Sequence, residues 1–172
     1  MTDTRAGFIP GIICDGIVFA RNVAGGTRSG LAAMPTDEEL YNELAYYTLA
    51  HPDPAFIHQL LVDAYTAQHA DASTKPIAIT FALIGLYLVV EKNFTGKQVQ
   101  RVHMQLARSR KVWPALSLPV EPGKITVADV ASVLPGAERD AAIHQWCAAV
   151  WETWRGSREP IAELLRRELD IR

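Results

Sequence analysis

Cysteine is scarce in this chain of 172 residues, and no apolar run is long enough for a membrane helix. Cys14 and Cys147 belong to no CxxC motif and have no histidine at zinc-binding spacing, which excludes a disulfide framework and a zinc knuckle. The longest apolar run, PIAITFALIGLYLVV at 76–90, spans about 22 Å as a helix, less than a bilayer requires. The first residues lack a secretory-signal pattern. We therefore expect a cytoplasmic protein with reduced thiols and no membrane contact.

Two long stretches of the chain each contain charges of only one sign. Residues 29–74 contain seven acidic residues and no Lys or Arg, whereas residues 92–120 contain six basic residues and no acid. Such blocks complement each other either within one fold or between two copies, and the second alternative implies a homodimer. The net charge is −2, and the basic stretch is short with one nearby tryptophan. We therefore expect no nucleic-acid partner.

Helix-start signals recur from Pro35 onward. Thr36 and Glu39 form one capping box, Thr95 and Gln98 form another, and Asp53-Pro54 pairs an N-cap with a first-turn proline. Together with hydrophobic periodicity, they predict an all-α compact bundle of six to seven helices in a domain at 35–172. The predicted helices include 54–70, 76–91 and 95–111. Residues 1–34 hold six of the eleven glycines and predict a separate arm with a short β-hairpin around Asp15-Gly16.

The helices at 54–70, 76–91 and 95–111 are joined by short connections and should be antiparallel neighbours. Their packing would gather polar side chains in one pocket. We predict His58 and His103 as proton-transfer groups oriented by Asp63 and Glu91, with Asp63 near His103 and Glu91 paired with Arg101. The free amides at the start of the third of these helices favour an anion. The predicted ligand-binding residues are Gln59, His69, Tyr87, Lys97, Gln98 and Arg101.

The alternative for each of these groups is a structural role, such as a core histidine with one hydrogen bond or a solvated helix face. No metal ligand is assigned, because His58 and His69 lie about 16 Å apart along their helix. A metal-binding bundle would need ligands from several helices. No dinucleotide or phosphate-loop motif is present, so the sequence indicates no particular cofactor.

Three strings are more specific than these motifs: DPAFIHQLLVDAYTAQH, TKPIAITFALIGLYLVVEKNFTGKQVQRVHM and IHQWCAAVW. Through them the chain resembles a bacterial domain-of-unknown-function family over residues 40–155. The resemblance implies a compact helical protein without an assigned activity and transfers no catalytic residue. Some relatives begin with a paired-cysteine segment that resembles a zinc knuckle, whereas this chain has only Cys14 there.

Three interpretations remain open from the sequence. The first is a protein that binds a small, anionic molecule between the three central helices, with acid-base catalysis as an extension. The second is a non-enzymatic homo-oligomeric interaction module, in which the acidic helices of one copy face the basic helix of another. The third is a metal-binding helical bundle.

Overall fold

A computed structural model describes residues 34–51, 53–108 and 113–171. The hairpin predicted near Asp15-Gly16 lies outside these residues, and the boundary between the arm and the domain stays a prediction. The described residues contain seven α-helices and no strand, which confirms the all-α assignment. The helices are α1 Asp37–Ala50, α2 His58–Gln68, α3 Pro76–Lys92, α4 Gly96–Ala107, α5 Val127–Ser132, α6 Ala137–Thr153 and α7 Arg158–Leu169, with a 3₁₀ turn at Arg155–Ser157 before α7.

The capping boxes form as the sequence predicts. Thr36 accepts from the Glu39 amide at the start of α1, and Thr95 accepts from the Gln98 amide at the start of α4. In both boxes the side chain at the third helical position reaches back to the amide of the cap. These caps satisfy amides that would otherwise lack partners, so the two helices begin where the sequence places them.

The second helix begins later than predicted. The Asp53 carboxylate accepts the Ala55 amide at 2.7 Å and the Ile57 amide at 2.5 Å, which closes a turn instead of opening a helix. Phe56 has a φ of 60°, a left-handed conformation that no helical residue shares. As a result α2 starts at His58.

The apolar helix α3 lies at the centre of the domain and packs against α2, α4, α6 and α7. Ten of its 17 residues are buried, which explains its lack of an amphipathic pattern. Helix α1 packs on α2 and α5. The buried face of α6 carries Trp146, Cys147 and Trp151, and Trp154 follows it into the core. Within the described part of the chain, no helix has both the length and the apolar character needed to cross a bilayer.

Candidate functional site

His58 lies at the junction of α1 and α2. Its Nδ1 is 2.8 Å from the Thr48 hydroxyl, which also donates to the Leu44 carbonyl, and its ring meets the ring of Phe56. Burial lowers the pKa of His58. These contacts hold the imidazole against the C-terminal turn of α1.

Asp63 is buried between α2 and α3, with 4 % of its surface exposed. Its Oδ1 accepts from the Gln59 side chain at 3.0 Å, and its Oδ2 lies against Gly85 without a hydrogen-bond donor. Burial raises the pKa of Asp63 well above its ordinary value, and the Gln59 hydrogen bond opposes this only in part. Burial therefore favours the neutral form of this carboxyl group.

His103 packs against Phe81 of α3, with ring centroids 4.9 Å apart, and Phe81 in turn meets Trp113. Its Nε2 is buried without a hydrogen-bond partner. Burial lowers the pKa of His103 to about 4, although the Phe81 carbonyl acts in the opposite direction. No hydrogen bond joins Asp63 to His103 among the described residues, so the expected orientation of His103 by Asp63 stays a prediction.

Glu91 ties the end of α3 to α6 and α7. It accepts from the indole of Trp151 at 2.9 Å and from Arg158 at 2.5 Å. The Trp151 hydrogen bond has the largest effect on the pKa of Glu91 and, together with Arg158, holds it below its usual range against the opposing effect of burial. Within the described residues Glu91 pairs with Arg158 of α7 instead of the expected Arg101.

The predicted ligand-binding residues are also spread over the domain. At the start of α4, Gln98 is engaged in the capping box, and the amide of Lys97 donates to the Ala55 carbonyl at 2.9 Å. The side chains of Lys97 and Arg101 are exposed. Because these α4 amides already have partners, the predicted anion site at this helix end has few free donors.

Two of the predicted ligand-binding residues are aromatic and have structural contacts. Tyr87 is buried next to Trp151, with 6.0 Å between ring centroids. His69 stacks on Tyr65 at 4.0 Å and lies 3.2 Å from Asp37 of α1. The predicted residues therefore occupy several separate places, and the roles assigned to them stay predictions.

A cleft of about 370 Å³ lies where the 53–57 turn, the end of α3, the start of α4 and the first half of α6 meet. We call it the helix-end cleft. It is at the end of the three-helix group where the sequence predicts a pocket, but none of the ten predicted site residues lines it. Its lining residues are Asp53, Ala55, Ile57, Leu60, Val89, Asn93, Phe94, Thr95, Gly96, Asp140 and His144.

The sequence reasoning missed Asp140 and His144 as site residues. They stand four positions apart on α6 and so share one face of that helix. This spacing was readable, but it gives no sign that the face meets the ends of α3 and α4. The sequence assigns Asp53 a capping role at the start of the second helix.

Tight backbone contacts shape the wall of the helix-end cleft. A Cβ on Gly96 would lie 1.9 Å from the Phe56 carbonyl oxygen, so only glycine fits there. The Ala55 carbonyl bonds to α4 through the Lys97 amide. Phe56, at a φ of 60°, carries a backbone strain of about 1–3 kcal/mol. These contacts hold the 53–57 turn on the start of α4.

The lining of the helix-end cleft divides into an apolar floor and a polar rim. Ile57, Leu60 and Val89 are buried, and Phe94 packs beside them. The titratable lining residues are Asp53, Asp140 and His144, and none of the lining residues is Lys or Arg. No group of three His, Cys, Asp or Glu side chains suited to a metal ion occurs among the described residues.

Fold and cleft together define a small all-α protein with an open cleft at the ends of its helices. The chain belongs to the Family of unknown function (DUF5946), whose model matches residues 31–155. All residues that line the helix-end cleft lie within this match. The resemblance to a family without an assigned activity is thereby confirmed. No curated protein and no solved structure matches the chain.

Proposed function

We propose that this protein binds a small organic molecule in the helix-end cleft. The observation that carries the proposal is the combination of a buried apolar floor with three titratable side chains in one opening of about 370 Å³. Ligand sites typically have volumes of about 300–1,000 Å³ and combine apolar walls with a few polar groups.

The strained turn beside the cleft supports this proposal. A phenylalanine in the left-handed region persists only where its surroundings hold it there, and such residues concentrate at binding sites. Phe56 is held by the Asp53 cap on one side and by the hydrogen bond from Lys97 to Ala55 on the other. The wall of the helix-end cleft is therefore formed before a ligand arrives.

A cleft of similar size is a weaker candidate. About 390 Å³ lies between the 115–120 segment and the residues around Trp154. Its lining contains no titratable side chain. It therefore lacks the charged groups that orient a ligand.

The proposed site differs from the pocket predicted for acid-base catalysis. His58, His103, Asp63 and Glu91 do not line the helix-end cleft, and their catalytic roles stay predictions. Asp140 and His144 could supply a carboxylate and an imidazole to a bound molecule. We propose binding as the function and assign no reaction.

An NMR titration of ¹⁵N-labelled protein with a mixed panel of cationic, neutral and anionic fragments tests the proposal. We expect shifts concentrated at the amides of Asn93, Phe94 and Gly96. Ala55→Trp places a large ring in the cleft from an exposed position and should abolish these shifts. Ala148→Trp changes an exposed alanine of α6 outside the cleft and should preserve them. A panel that leaves all cleft amides unshifted contradicts the proposal.

A second candidate function is self-association, which is favoured by the unpaired bases of α4. Lys97, Arg101 and Arg108 are exposed and make no ion pair within the described ranges. Met104, 49 % exposed, lies on the same face, because these residues recur at i, i+4, i+7 and i+11. Unpaired charge around an exposed apolar side chain suits a protein partner.

The outward face of α1 complements this α4 surface in charge. Tyr46 and Leu49 are 77 % and 61 % exposed, and Glu38 is exposed in the first turn of the same helix. Light scattering across a salt series tests the pairing. Arg101→Glu should weaken a dimer, and adding Glu38→Arg should restore it. A particle that remains monomeric at low and high salt contradicts this candidate.

A further inference from the structure

We infer that the ligand of the helix-end cleft carries a positively charged amine on an apolar body. The inference rests on the proposed function and names the chemical class that the site selects. It replaces the anionic ligand expected from the sequence, because the carboxylates in the cleft are negatively charged and would repel an anion.

The charges around the cleft favour a cation. Two lining residues, Asp53 and Asp140, are carboxylates, His144 is the third titratable group, and no lining residue is Lys or Arg. A carboxylate ligand would bring a third negative charge into a half-enclosed space, where repulsion is screened less than at an open surface. An ammonium group gains charge-assisted hydrogen bonds in the same place.

The start of α4 could attract an anion, but most of its backbone amides already have hydrogen-bond acceptors. At the start of α4, the Lys97 amide bonds to Ala55, the Gln98 amide to the Thr95 hydroxyl, and the Val99 amide to the Thr95 carbonyl. An anion site at a helix start needs several such donors free at once.

Asp140 is the anchor for the amine. Its Oδ1 accepts from the Tyr47 hydroxyl at 2.8 Å, and its Oδ2 has no hydrogen-bond partner in the described part of the chain. Asp53 is less available, because its two oxygens each accept a backbone amide of the 53–57 turn. The Tyr47 hydroxyl in turn accepts from the Gly136 amide at 3.0 Å, and this hydrogen bond helps to fix the side chain that orients Asp140.

The apolar floor determines the rest of the ligand. Leu60 and Val89 are 2 % and 8 % exposed, and Phe94 offers an aromatic surface at the end of α3. An aryl or alkyl group bound there would bury apolar area, which favours binding. An amine attached to such a group by a short chain matches both parts of the cleft.

Three probes with similar phenyl bodies test the inference: phenethylamine, 2-phenylethanol and 3-phenylpropionate. Each is titrated into ¹⁵N-labelled protein, and the shifts of the Phe94, Thr95 and His144 amides report on cleft binding. We expect phenethylamine to bind at least about tenfold more tightly than 3-phenylpropionate, since a hydrogen bond to a charged group is stronger than a neutral one. Asp140→Asn should weaken phenethylamine binding by about tenfold and leave 2-phenylethanol unchanged.

Glu138→Gln is the matched control, because it removes the same charge from the first turn of α6 at an exposed residue outside the cleft. It should change the affinity for phenethylamine by less than about twofold. Cleft binding of 3-phenylpropionate that equals or exceeds that of the amine overturns the inference and leaves the proposed binding function intact. Amine binding unaffected by Asp140→Asn overturns the assigned anchor. Unshifted cleft amides with all three probes and with the wider panel overturn the proposed function itself.

Discussion

The carboxyl group of Asp63 lies directly on the backbone of Gly85. A Cβ built on Gly85 would be 1.9 Å from Asp63 Oδ2 and 2.5 Å from its Cγ. Because Gly85 has no side chain, the middle of α3 leaves room for the buried carboxyl group of Asp63 from α2. Glycine in a helix interior costs about 1 kcal/mol relative to alanine, and here the close contact between the two helices explains its presence.

Gly85→Ala should destabilise the protein by about 1–3 kcal/mol, because neither the buried Asp63 side chain nor the helix can move aside. In an Asp63→Ala background the same change should be nearly neutral, since the clash is relieved and alanine favours the helix. Urea denaturation of the four proteins measures the coupling. Equal effects of Gly85→Ala in both backgrounds would show that the two residues are not in contact.

The pH dependence of stability should reveal two opposing buried groups. Between about pH 4 and 6.5 the unfolded chain protonates His103 and ionises Asp63, whereas burial in the folded protein favours the neutral form of each, because it lowers the pKa of His103 and raises the pKa of Asp63. His103, with the lowered pKa of His58 acting in the same direction, makes stability rise with pH. Asp63 makes stability fall with pH. Each proton contributes a slope of up to about 1.4 kcal/mol per pH unit.

Single substitutions should separate these slopes. Asp63→Asn is expected to leave a free energy of unfolding that rises from pH 4.5 to 6.5, and His103→Gln one that rises less or falls over the same range. Urea denaturation at three pH values gives both slopes. If Asp63→Asn leaves the wild-type slope unchanged, the pKa of Asp63 is not raised as described above.

Glu91 should stabilise the protein more through its hydrogen bond with Trp151 than through its ion pair with Arg158. Glu91→Ala leaves the indole N–H of a residue that is 2 % exposed without its acceptor, at a cost of about 1–3 kcal/mol. Arg158→Ala removes only a partly exposed ion pair and should cost under about 1 kcal/mol. Thermal unfolding compares the two, with Glu152→Ala as the control on the exposed side of α6. A larger loss for Arg158→Ala would reverse this assignment.

Gln68 should hold the irregular segment before α5 in place through its side-chain hydrogen bonds. Its Oε1 accepts from the Trp146 indole at 2.9 Å, and its Nε2 donates to the carbonyls of Pro122 and Ile125. Gln68→Ala removes all three bonds, so hydrogen exchange at residues 120–126 should accelerate and stability should fall by about 1–3 kcal/mol. Gln100→Ala, at an exposed residue of α4, is the control. Unchanged exchange in Gln68→Ala would mean that other contacts hold the segment.

The local part of the fold was predictable, because helix starts depend on residues close in sequence. The Thr36–Glu39 and Thr95–Gln98 boxes form as expected. The start of α2 was not predictable from Asp53-Pro54 alone. The cap at Asp53 depends on the backbone of Phe56, which is held against α4 by a long-range contact.

The partners of the candidate site residues could not be read from the sequence for a related reason. Consecutive helices do pack as neighbours, since α3 contacts both α2 and α4, but the rotation of each helix about its own axis was unknown. Glu91 therefore meets Trp151 of α6, which is 60 residues away in the chain. Asp140 and His144 reach the helix-end cleft through the same packing of α6.

The acidic residues of the 29–74 stretch have different roles from those that the sequence suggested. Most of its carboxylates have local structural roles or partners outside the basic block. Glu39 and Asp53 cap turns, Asp71 accepts from Ser73 and Thr74, and Glu43 pairs with Arg139. The absence of bases from the acidic stretch is therefore no sign of one acidic surface. The exposed bases of α4 have no comparable local roles.

The burial of Cys147 makes its thiol a built-in reporter of domain opening. Its side chain has no exposed surface and its Sγ lies 3.5 Å from the Leu60 carbonyl, while burial raises the pKa of the thiol. Disulfide reagents attack thiolates, so in a Cys14→Ser variant labelling requires α2 and α6 to separate. The labelling rate then gives the frequency at which the core opens, and a ligand that closes the helix-end cleft should slow it.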